Sequence, residues 1–265
     1  MKLMIESEKF AEILAEIPEL VLGHDTARFN EREYADSLEE YKNQYVPILR
    51  KLEECCDAAQ DEREELISRA CAAILDALGN DIKDPEKYRG WNSRALQLDT
   101  YKMVIITYMT PAVFKMGLGI SEAFNHRFHD LWLERYPKQP YEVVTEQQIA
   151  AGFGRRWYQC YITQAVCQYL GREDDCYELT AFRNFRDTYL RACPDGSRLI
   201  EEYYRDAPAI VTRIELFGIG REVYPGLWKE YLEPCLKDIE NERLESCRDR
   251  YIKMVRKLQE KFLFR

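Results

Sequence analysis

Apolar residues recur along the chain in steps of three and four, the spacing that places them on one face of a helix. The first such stripe covers residues 38–55, and Pro47 within it predicts a kink or a short break. A second stripe covers residues 67–78. Asp61 is its predicted N-cap, and Gly79 with Asn80 is its predicted end.

The same spacing predicts further helices at residues 93–109 and 121–136, with a turn at Gly117 before the second of them. Pro137 and Pro140 bracket the connector that follows. We expect this connector to separate a helical N-terminal part, residues 1–140, from residues 141–265. One continuous domain is the alternative.

Two more stripes, residues 227–239 and 244–258, are joined by a short polar link around Asn241. Two helices with so short a connection predict an antiparallel hairpin at the C-terminus. No segment shows the alternating pattern of a paired strand. The predicted fold class is therefore all-α, a multi-helix bundle that ends in this hairpin.

The composition excludes several functional classes. The 265 residues are 46% hydrophobic and 32% charged, with a formal net charge of −9. This acidic net charge argues against non-specific binding to nucleic acid or to an anionic membrane, because such partners require a clustered positive surface. The N-terminus has no signal-peptide pattern, and the longest apolar run, residues 103–114, is too short to span a bilayer. We therefore expect a soluble, cytoplasmic protein that binds neither nucleic acid nor membrane.

Nine cysteines are present, and a cytoplasmic location predicts that they are thiols. Four of them lie on apolar stripes, where a buried cysteine packs as a small hydrophobic residue: Cys55, Cys71, Cys235 and Cys247. We expect these four to fill the core.

Cys160, Cys167 and Cys176 follow a different pattern. A helix over residues 158–170 places Cys160 and Cys167 on a face with Gln164, away from the apolar stripe. Cys176 precedes a helix for which Asp175 is the predicted N-cap. Such thiols could hold a metal ion or form a redox pair. The alternative is a helix buried on both sides that presents small residues to two neighbours.

Three segments of this region carry a resemblance to a known family. They are Cys160-Tyr161-Ile162-Thr163-Gln164-Ala165, Leu179-Thr180-Ala181-Phe182-Arg183-Asn184-Phe185-Arg186-Asp187 and Tyr203-Tyr204-Arg205-Asp206-Ala207-Pro208. In this order they resemble the CFI-box domain, over about residues 155–216. Tyr161 stands where the family usually has Phe, and Cys167 falls where it often has Tyr-Gly-Ser. The resemblance implies a bacterial protein with a compact helical module, and no established activity.

Arginine replaces lysine throughout the same region. No lysine lies between Lys138 and Lys229, whereas ten arginines do: Arg155, Arg156, Arg172, Arg183, Arg186, Arg191, Arg198, Arg205, Arg213 and Arg221. Guanidinium groups suit bidentate contacts with carboxylates or phosphates. This pattern predicts either a site for an anion or an acidic peptide, or ion pairs within the module.

Local spacing adds two predictions for this module. Arg183 and Asp187 are four residues apart and are expected to pair along a helix. Pro208 is expected in the first turn of the next helix, and Gly196 in a tight turn.

A second candidate metal site consists of Glu122, His126 and His129, which stack at spacings of four and three. Phe124 and Phe128 define the buried face of the same helix, so the histidines are expected to point away from it.

Two functional hypotheses follow. The first is a non-enzymatic binding module for an acidic protein or peptide, or for a second copy of the chain. Its predicted binding residues are Arg183, Arg186, Asp187, Tyr203 and Tyr204. The second is a thiol-dependent enzyme or a metal-binding protein that uses Cys160 as nucleophile or ligand, with Cys167 or Cys176 as partner. The sequence indicates no particular cofactor.

Overall fold

The computed structural model describes residue 4 and residues 7–89, 91–153 and 160–263, leaving aside the side chains of residues 91, 92 and 152. These residues form helices and no strand, which confirms the predicted all-α, multi-helix fold. The chain divides into two compact units. The first is Met1–Arg28 with Glu33–Ile149, and the second is Phe29–Arg32 with Ala150–Arg265. The division therefore follows Ile149, later than the connector that the sequence suggested.

The first unit contains the helices α1 to α6, and α7 extends past its end: α1 Glu8–Glu16, α2 Tyr34–Ala58, α3 Arg63–Lys83, α4 Trp91–Val104, α5 Thr110–Met116, α6 Ser121–Arg135 and α7 Glu146–Phe153. A π-helical segment, Ile105–Met109, joins α4 to α5. Within the described residues, no helix combines the length and apolar character needed to cross a bilayer.

The core of the first unit forms where α3 packs against α6 and where α2 packs against α5. Cys71 of α3 is fully buried, and its thiol donates to the Phe124 carbonyl of α6 over 3.6 Å. Trp132 of α6 is also fully buried and donates to the Gln139 carbonyl at 2.7 Å. Gly117 ends α5 in the left-handed conformation, with φ of +64°, as the predicted turn requires.

The helix α2 runs through Pro47 without a break, so the predicted short break is wrong, whereas the alternative of a kink stays a prediction. Apolar residues before and after Pro47 are buried on the same face, and this packing favours the continuous helix. The predicted N-cap of α3 is also wrong. Asp61 lies in a short 3₁₀ turn, Gln60–Glu62, and Glu62 precedes the helix without a side-chain cap bond.

The helix α3 does not end at Gly79 and Asn80 but continues to Lys83. The Asp81 carboxylate, in the added turn, accepts bonds from Lys87 at 2.7 Å and from Tyr88 at 2.9 Å. It also accepts a bond from the Tyr101 hydroxyl. These bonds from residues later in the chain therefore stabilise a last helical turn at a place where the local sequence predicted the end of the helix.

The second unit contains six further helices: α8 Tyr161–Tyr169, α9 Tyr177–Phe185, α10 Gly196–Leu216, α11 Gly220–Leu227, α12 Glu233–Glu240 and α13 Leu244–Phe262. The π-helical segment Arg186–Leu190 extends α9, and Trp228–Leu232 joins α11 to α12. Because α12 and α13 pack together across a link of residues 241–243, the predicted C-terminal hairpin is confirmed.

The helix α8 is buried on both sides. Tyr161, Ile162 and Val166 belong to the main core of the second unit, which α10 to α13 complete. Cys160 and Cys167 belong to a smaller cluster on the other side. The helix is therefore buried between two neighbours, whereas a redox pair among these thiols stays a prediction.

Two local predictions in this unit are wrong, and one is confirmed. Pro208 lies inside α10 rather than in the first turn of a helix. Gly196 closes the predicted tight turn, because its backbone N–H donates to the Cys193 carbonyl at 2.9 Å, and it is also the first residue of α10. Cys176, not Asp175, is the N-cap of α9. The helix expected from residue 158 begins at Tyr161, and residues 154–159, with Arg155 and Arg156, lie outside the described residues.

Candidate functional site

A cavity of about 60 Å³ lies in the second unit. Its wall comes from the start of α8, from α9 and its π-helical extension, from α10 and from α13. Most of the lining is apolar, including Phe182, Phe185, Leu190, Ile200 and Val255. Three predicted site residues, Cys160, Arg186 and Tyr203, are also part of the wall. The structure thus brings together residues that are widely separated along the chain.

Arg186 is the first residue of the π-helical segment, and its side chain is 12% exposed. Its Nε and Nη2 donate to the two carboxylate oxygens of Asp187 at 2.7 Å each. Its Nη1 donates to the Tyr204 hydroxyl at 2.6 Å and lies 3.6 Å from the Cys160 Sγ. The hydrogen bonds from Arg186 lower the pKa of Asp187 and hold that carboxylate ionised.

The predicted ion pair between Arg183 and Asp187 does not form. Asp187 pairs instead with Arg186 and, at 3.6 Å, with Arg191. Arg183 donates to the Asp174 carbonyl at 2.9 Å. The reason is the change from α-helix to π-helix at Arg186, because the wider turn alters which residues lie above one another.

A second group of charges borders the cavity on α10 and α13. Arg256 donates through both terminal nitrogens to the Glu202 carboxylate and, at 2.8 Å, to the Gln259 amide oxygen. Gln259 in turn donates to Asp206 at 2.6 Å. Asp206 is 6% exposed and also accepts two bonds from Arg205, at 2.6 and 2.8 Å. The half-buried Glu202 and the buried Asp206 therefore both have guanidinium partners.

Two tyrosine hydroxyls complete the polar groups of the wall. The Tyr203 hydroxyl accepts from the Ile162 backbone N–H at 2.9 Å, so α10 satisfies one of the free donors at the start of α8. Tyr251 of α13 donates to Tyr203 at 3.4 Å and bonds to Thr163 at 3.0 Å. Burial raises the pKa of Tyr203 far above its usual value, so this hydroxyl stays protonated.

Cys160 is the N-cap residue of α8 and is 4% exposed. Burial raises the pKa of its thiol, and the nearby guanidinium groups of Arg186 and Arg183 offset this only in part. The thiol is therefore protonated at neutral pH. Because the thiolate is the nucleophile and the metal ligand, this environment does not activate Cys160.

The other two thiols of the predicted trio lie nearby. Cys176 packs against the cluster formed by Cys160, Cys167 and Leu179. Burial and the neighbouring Cys176 together raise the pKa of Cys167 to about 12. Within the described residues, no three His, Cys, Asp or Glu side chains are placed to hold a metal ion.

The second predicted metal set is likewise not assembled. His126 lies 4.0 Å from Glu122, and both side chains are largely exposed. The His129 ring instead bonds to the Tyr141 carbonyl at 3.0 Å and packs edge-on against the Tyr141 ring. His129 therefore fastens the connector after α6 to that helix.

Most arginines described in the second unit form ion pairs with carboxylates of the same unit. Beyond the pairs already described, Arg172 bonds to Glu178 at 3.0 Å, Arg248 to Asp195 at 2.7 Å, and Arg198 lies 3.5 Å from Glu202. Internal ion pairing is therefore shown for five of the ten arginines of the lysine-free region, namely Arg172, Arg186, Arg191, Arg198 and Arg205, and the site for an anion or an acidic peptide stays a prediction.

Sequence reasoning missed the contribution of the C-terminal hairpin to this site. Tyr251, Arg256 and Gln259 all lie on α13, within or beside a stripe that predicts only a packing face. The one available signal was Gln259, a polar residue next to the apolar position Leu258. Gln259 is 1% exposed in the structure.

Comparison with models of known families, with curated proteins and with solved structures found no match to this chain.

Proposed function

We propose that the protein is a binding module, and that the cavity of the second unit takes a small, mostly apolar ligand. One observation carries the proposal. Every polar side chain named in the cavity wall is already bonded to another group of the same unit, as described for Arg186, Glu202, Arg256 and Gln259. The surface left for a ligand is therefore hydrocarbon, aromatic ring and sulfur, which favours apolar groups.

An acidic ligand has weaker support, although the number of arginines predicted one. Arg186 is held by Asp187, and Arg256 by Glu202, through two nitrogens each. A ligand carboxylate would have to displace an existing bidentate partner, and exchange of one carboxylate for another yields little net free energy. An apolar ligand requires no such exchange.

Thiol catalysis also has weaker support. A nucleophilic cysteine acts as a thiolate, whereas burial raises the pKa of Cys160 and keeps it protonated. In the proposed role the Cys160 sulfur is part of the apolar wall, a place in which a thiol behaves as a small hydrophobic group.

The size of the cavity limits the ligand. Its volume is about 60 Å³, whereas a cavity needs about 10–15 Å³ on the same measure to hold one water molecule, and an apolar cavity of about 150 Å³ accepts benzene. The cavity therefore takes the end of a thin carbon chain, and the rest of the ligand lies outside it. A polar end of the ligand would lie toward the charged residues on α10 and α13.

Butan-1-ol and butanoate test this proposal, since they share a carbon chain and differ in charge. Binding is followed by saturation-transfer NMR and by the shifts of methyl groups in the wall. We expect butan-1-ol to bind and to shift the Ile200, Ile252 and Val255 methyl signals. Stronger binding of butanoate would favour the acidic-ligand hypothesis instead, and no binding of either probe would contradict the proposal.

A matched pair of variants locates the site. Val255→Phe fills the cavity, whereas Val223→Phe makes the same change at a partly buried position of α11 outside the cavity wall. We expect the first variant to lose butan-1-ol binding and the second to keep it. Circular dichroism and thermal unfolding establish that both variants fold. Equal binding by the two variants would place the ligand elsewhere.

A further inference from the structure

The loop between α8 and α9 brings Cys167 and Cys176 to adjacent positions. Gly171 turns the chain with φ of +72°, a conformation that favours glycine. The Arg172 backbone N–H then donates to the Cys167 carbonyl at 2.9 Å, and the Cys176 N–H donates to the Glu173 carbonyl at 3.1 Å. Both cysteines thus take part in the hydrogen bonds that close the loop.

Asp174, in the middle of this loop, ties it to both helices. Its carboxylate accepts bonds from Gln164 at 2.9 Å and Gln168 at 3.1 Å, both on α8. Its backbone carbonyl accepts a bond from Arg183 of α9 at 2.9 Å. These contacts hold the end of α8 against the start of α9 while both thiols are reduced.

The two thiols contact each other but differ in exposure. Cys176 packs against the cluster formed by Cys160, Cys167 and Leu179, and it lies close enough to Cys167 to raise the pKa of that thiol. Cys167 is 1% exposed, whereas Cys176 is only partly buried. An accessible thiol beside a buried partner is the arrangement in which an oxidised cysteine is captured as a disulfide.

We propose that Cys167 and Cys176 are a redox-active dithiol that a hydroperoxide converts to a disulfide. The Cys176 sulfur attacks one peroxide oxygen, the O–O bond breaks, and Cys176 becomes a sulfenic acid while one water (or alcohol) leaves. The Cys167 sulfur then attacks the Cys176 sulfur, forming the S–S bond and breaking the S–O bond. The departing hydroxyl takes the Cys167 proton and leaves as water. The two thiols together lose two electrons, and the peroxide gains them.

The same unit contains a natural comparison in Cys235 and Cys247. The Cys235 thiol donates to the Cys247 carbonyl at 3.6 Å, yet both residues are fully buried, so a peroxide cannot reach either sulfur. Cys193 provides the opposite comparison. It is only partly buried, and its thiol donates to the Tyr189 carbonyl at 3.5 Å rather than to another thiol.

The experiment treats the folded, reduced protein with a small excess of hydrogen peroxide, blocks the remaining thiols with an alkylating reagent, and maps the disulfides by mass spectrometry. We expect one disulfide, joining the peptides that contain Cys167 and Cys176, and the loss of two of the nine titratable thiols. Dithiothreitol should restore both thiols.

Three variants complete the test. Cys176→Ser and Cys167→Ala should each abolish the disulfide, and serine is itself a favourable N-cap residue, so the first variant preserves the start of α9. Cys193→Ser should leave disulfide formation unchanged. The proposal is overturned if no disulfide forms in the folded protein, if Cys160 is joined to either cysteine instead, or if the disulfide persists in Cys176→Ser.

Discussion

The Cys160 sulfur lies 3.6 Å from the Nη1 of Arg186, and yet the thiol has a raised pKa. Burial disfavours the thiolate by more than the guanidinium favours it, in part because Arg186 is already neutralised by Asp187. An arginine beside a cysteine therefore does not by itself make a reactive thiol. In this protein the pair forms one end of an apolar cavity.

The thiols should differ sharply in reactivity in the folded protein. We expect a bulky reagent such as Ellman's reagent to modify Cys176 and Cys193, which are partly buried, well before the seven buried thiols. Time-resolved labelling at pH 8, followed by peptide mass spectrometry, measures this order. Addition of denaturant should make all nine thiols react at similar rates. Rapid, selective labelling of Cys160 in the native state would restore the hypothesis of thiol catalysis.

The ion pair between Arg256 and Glu202 should make stability depend on pH in the acid range. Hydrogen bonds from Arg256 lower the pKa of Glu202 in the folded state relative to the usual value of about 4.3. The pair therefore stabilises the fold fully above about pH 4.3. This stabilisation is lost as the pH falls through the folded-state pKa of Glu202.

Glu202→Gln tests this expectation. At pH 7 the variant should unfold more easily by about 1 kcal/mol, because the partly exposed pair is worth little more than a surface ion pair. The difference should shrink below pH 4 in urea unfolding experiments. Glu201→Gln, at the exposed neighbouring position, controls for the loss of one negative charge. A difference that stays constant down to pH 2.5 would show that the ion pair is not its source.

Gly196 should not tolerate a side chain. A Cβ atom at this position would lie 1.8 Å from the Leu190 carbonyl oxygen, a backbone atom that cannot rotate away. We expect Gly196→Ala to cost about 2 kcal/mol or more of unfolding free energy, as overpacked sites do, and to lower the melting temperature. Circular dichroism during heating measures the effect.

The matched control is Gly226→Ala, because no atom lies within 4 Å of a Cβ at that position and the residue is inside α11. This variant should be neutral or more stable by about 0.5–1 kcal/mol, since alanine has the higher helix propensity. If the two variants melt alike, the close approach of α10 to the end of the π-helical segment is not as described.

His24, in the first unit, should titrate below the usual histidine value of about 6.5. Burial lowers its pKa, although its Nε2 lies 3.1 Å from the Glu19 carbonyl and 2.5 Å from the Tyr45 hydroxyl. The shift is measured from the imidazole proton signals in an NMR titration. Since burial is the main cause, Tyr45→Phe should leave the pKa lowered. A value at or above 6.5 in the wild-type protein would contradict the buried position of the ring.

The packing face of each helix could be predicted because it depends on spacing within a short segment. The stripes at residues 38–55 and 244–258 correspond to α2 and α13, and Cys55, Cys71, Cys235 and Cys247 are buried as predicted. Helix ends were predicted less well. At Gly79 the local signal for a stop is outweighed by bonds to Asp81 from Tyr88 and Tyr101, and such contacts have no local signal.

The candidate site was predicted in part. Cys160, Arg186 and Tyr203 were singled out from the chain, and they do line one cavity. The α13 residues of the site were not predicted. Tyr251 lies 48 residues beyond Tyr203, and Arg256 lies 54 residues beyond Glu202, the α10 residues that they contact. The pairing of Arg186 with Asp187, in place of Arg183 with Asp187, depends on a π-helical turn that the spacing alone does not reveal.

The amino-acid sequence by itself determined that this chain folds into amphipathic helices, ends in a helical hairpin and buries most of its cysteines, because each of these follows from local periodicity. Tertiary packing decided which guanidinium groups neutralise which carboxylates, that Cys160 stays a protonated thiol, and that Cys167 contacts Cys176. Charge and proton affinity depend on what surrounds a side chain in space, and helices distant in the sequence supply those surroundings.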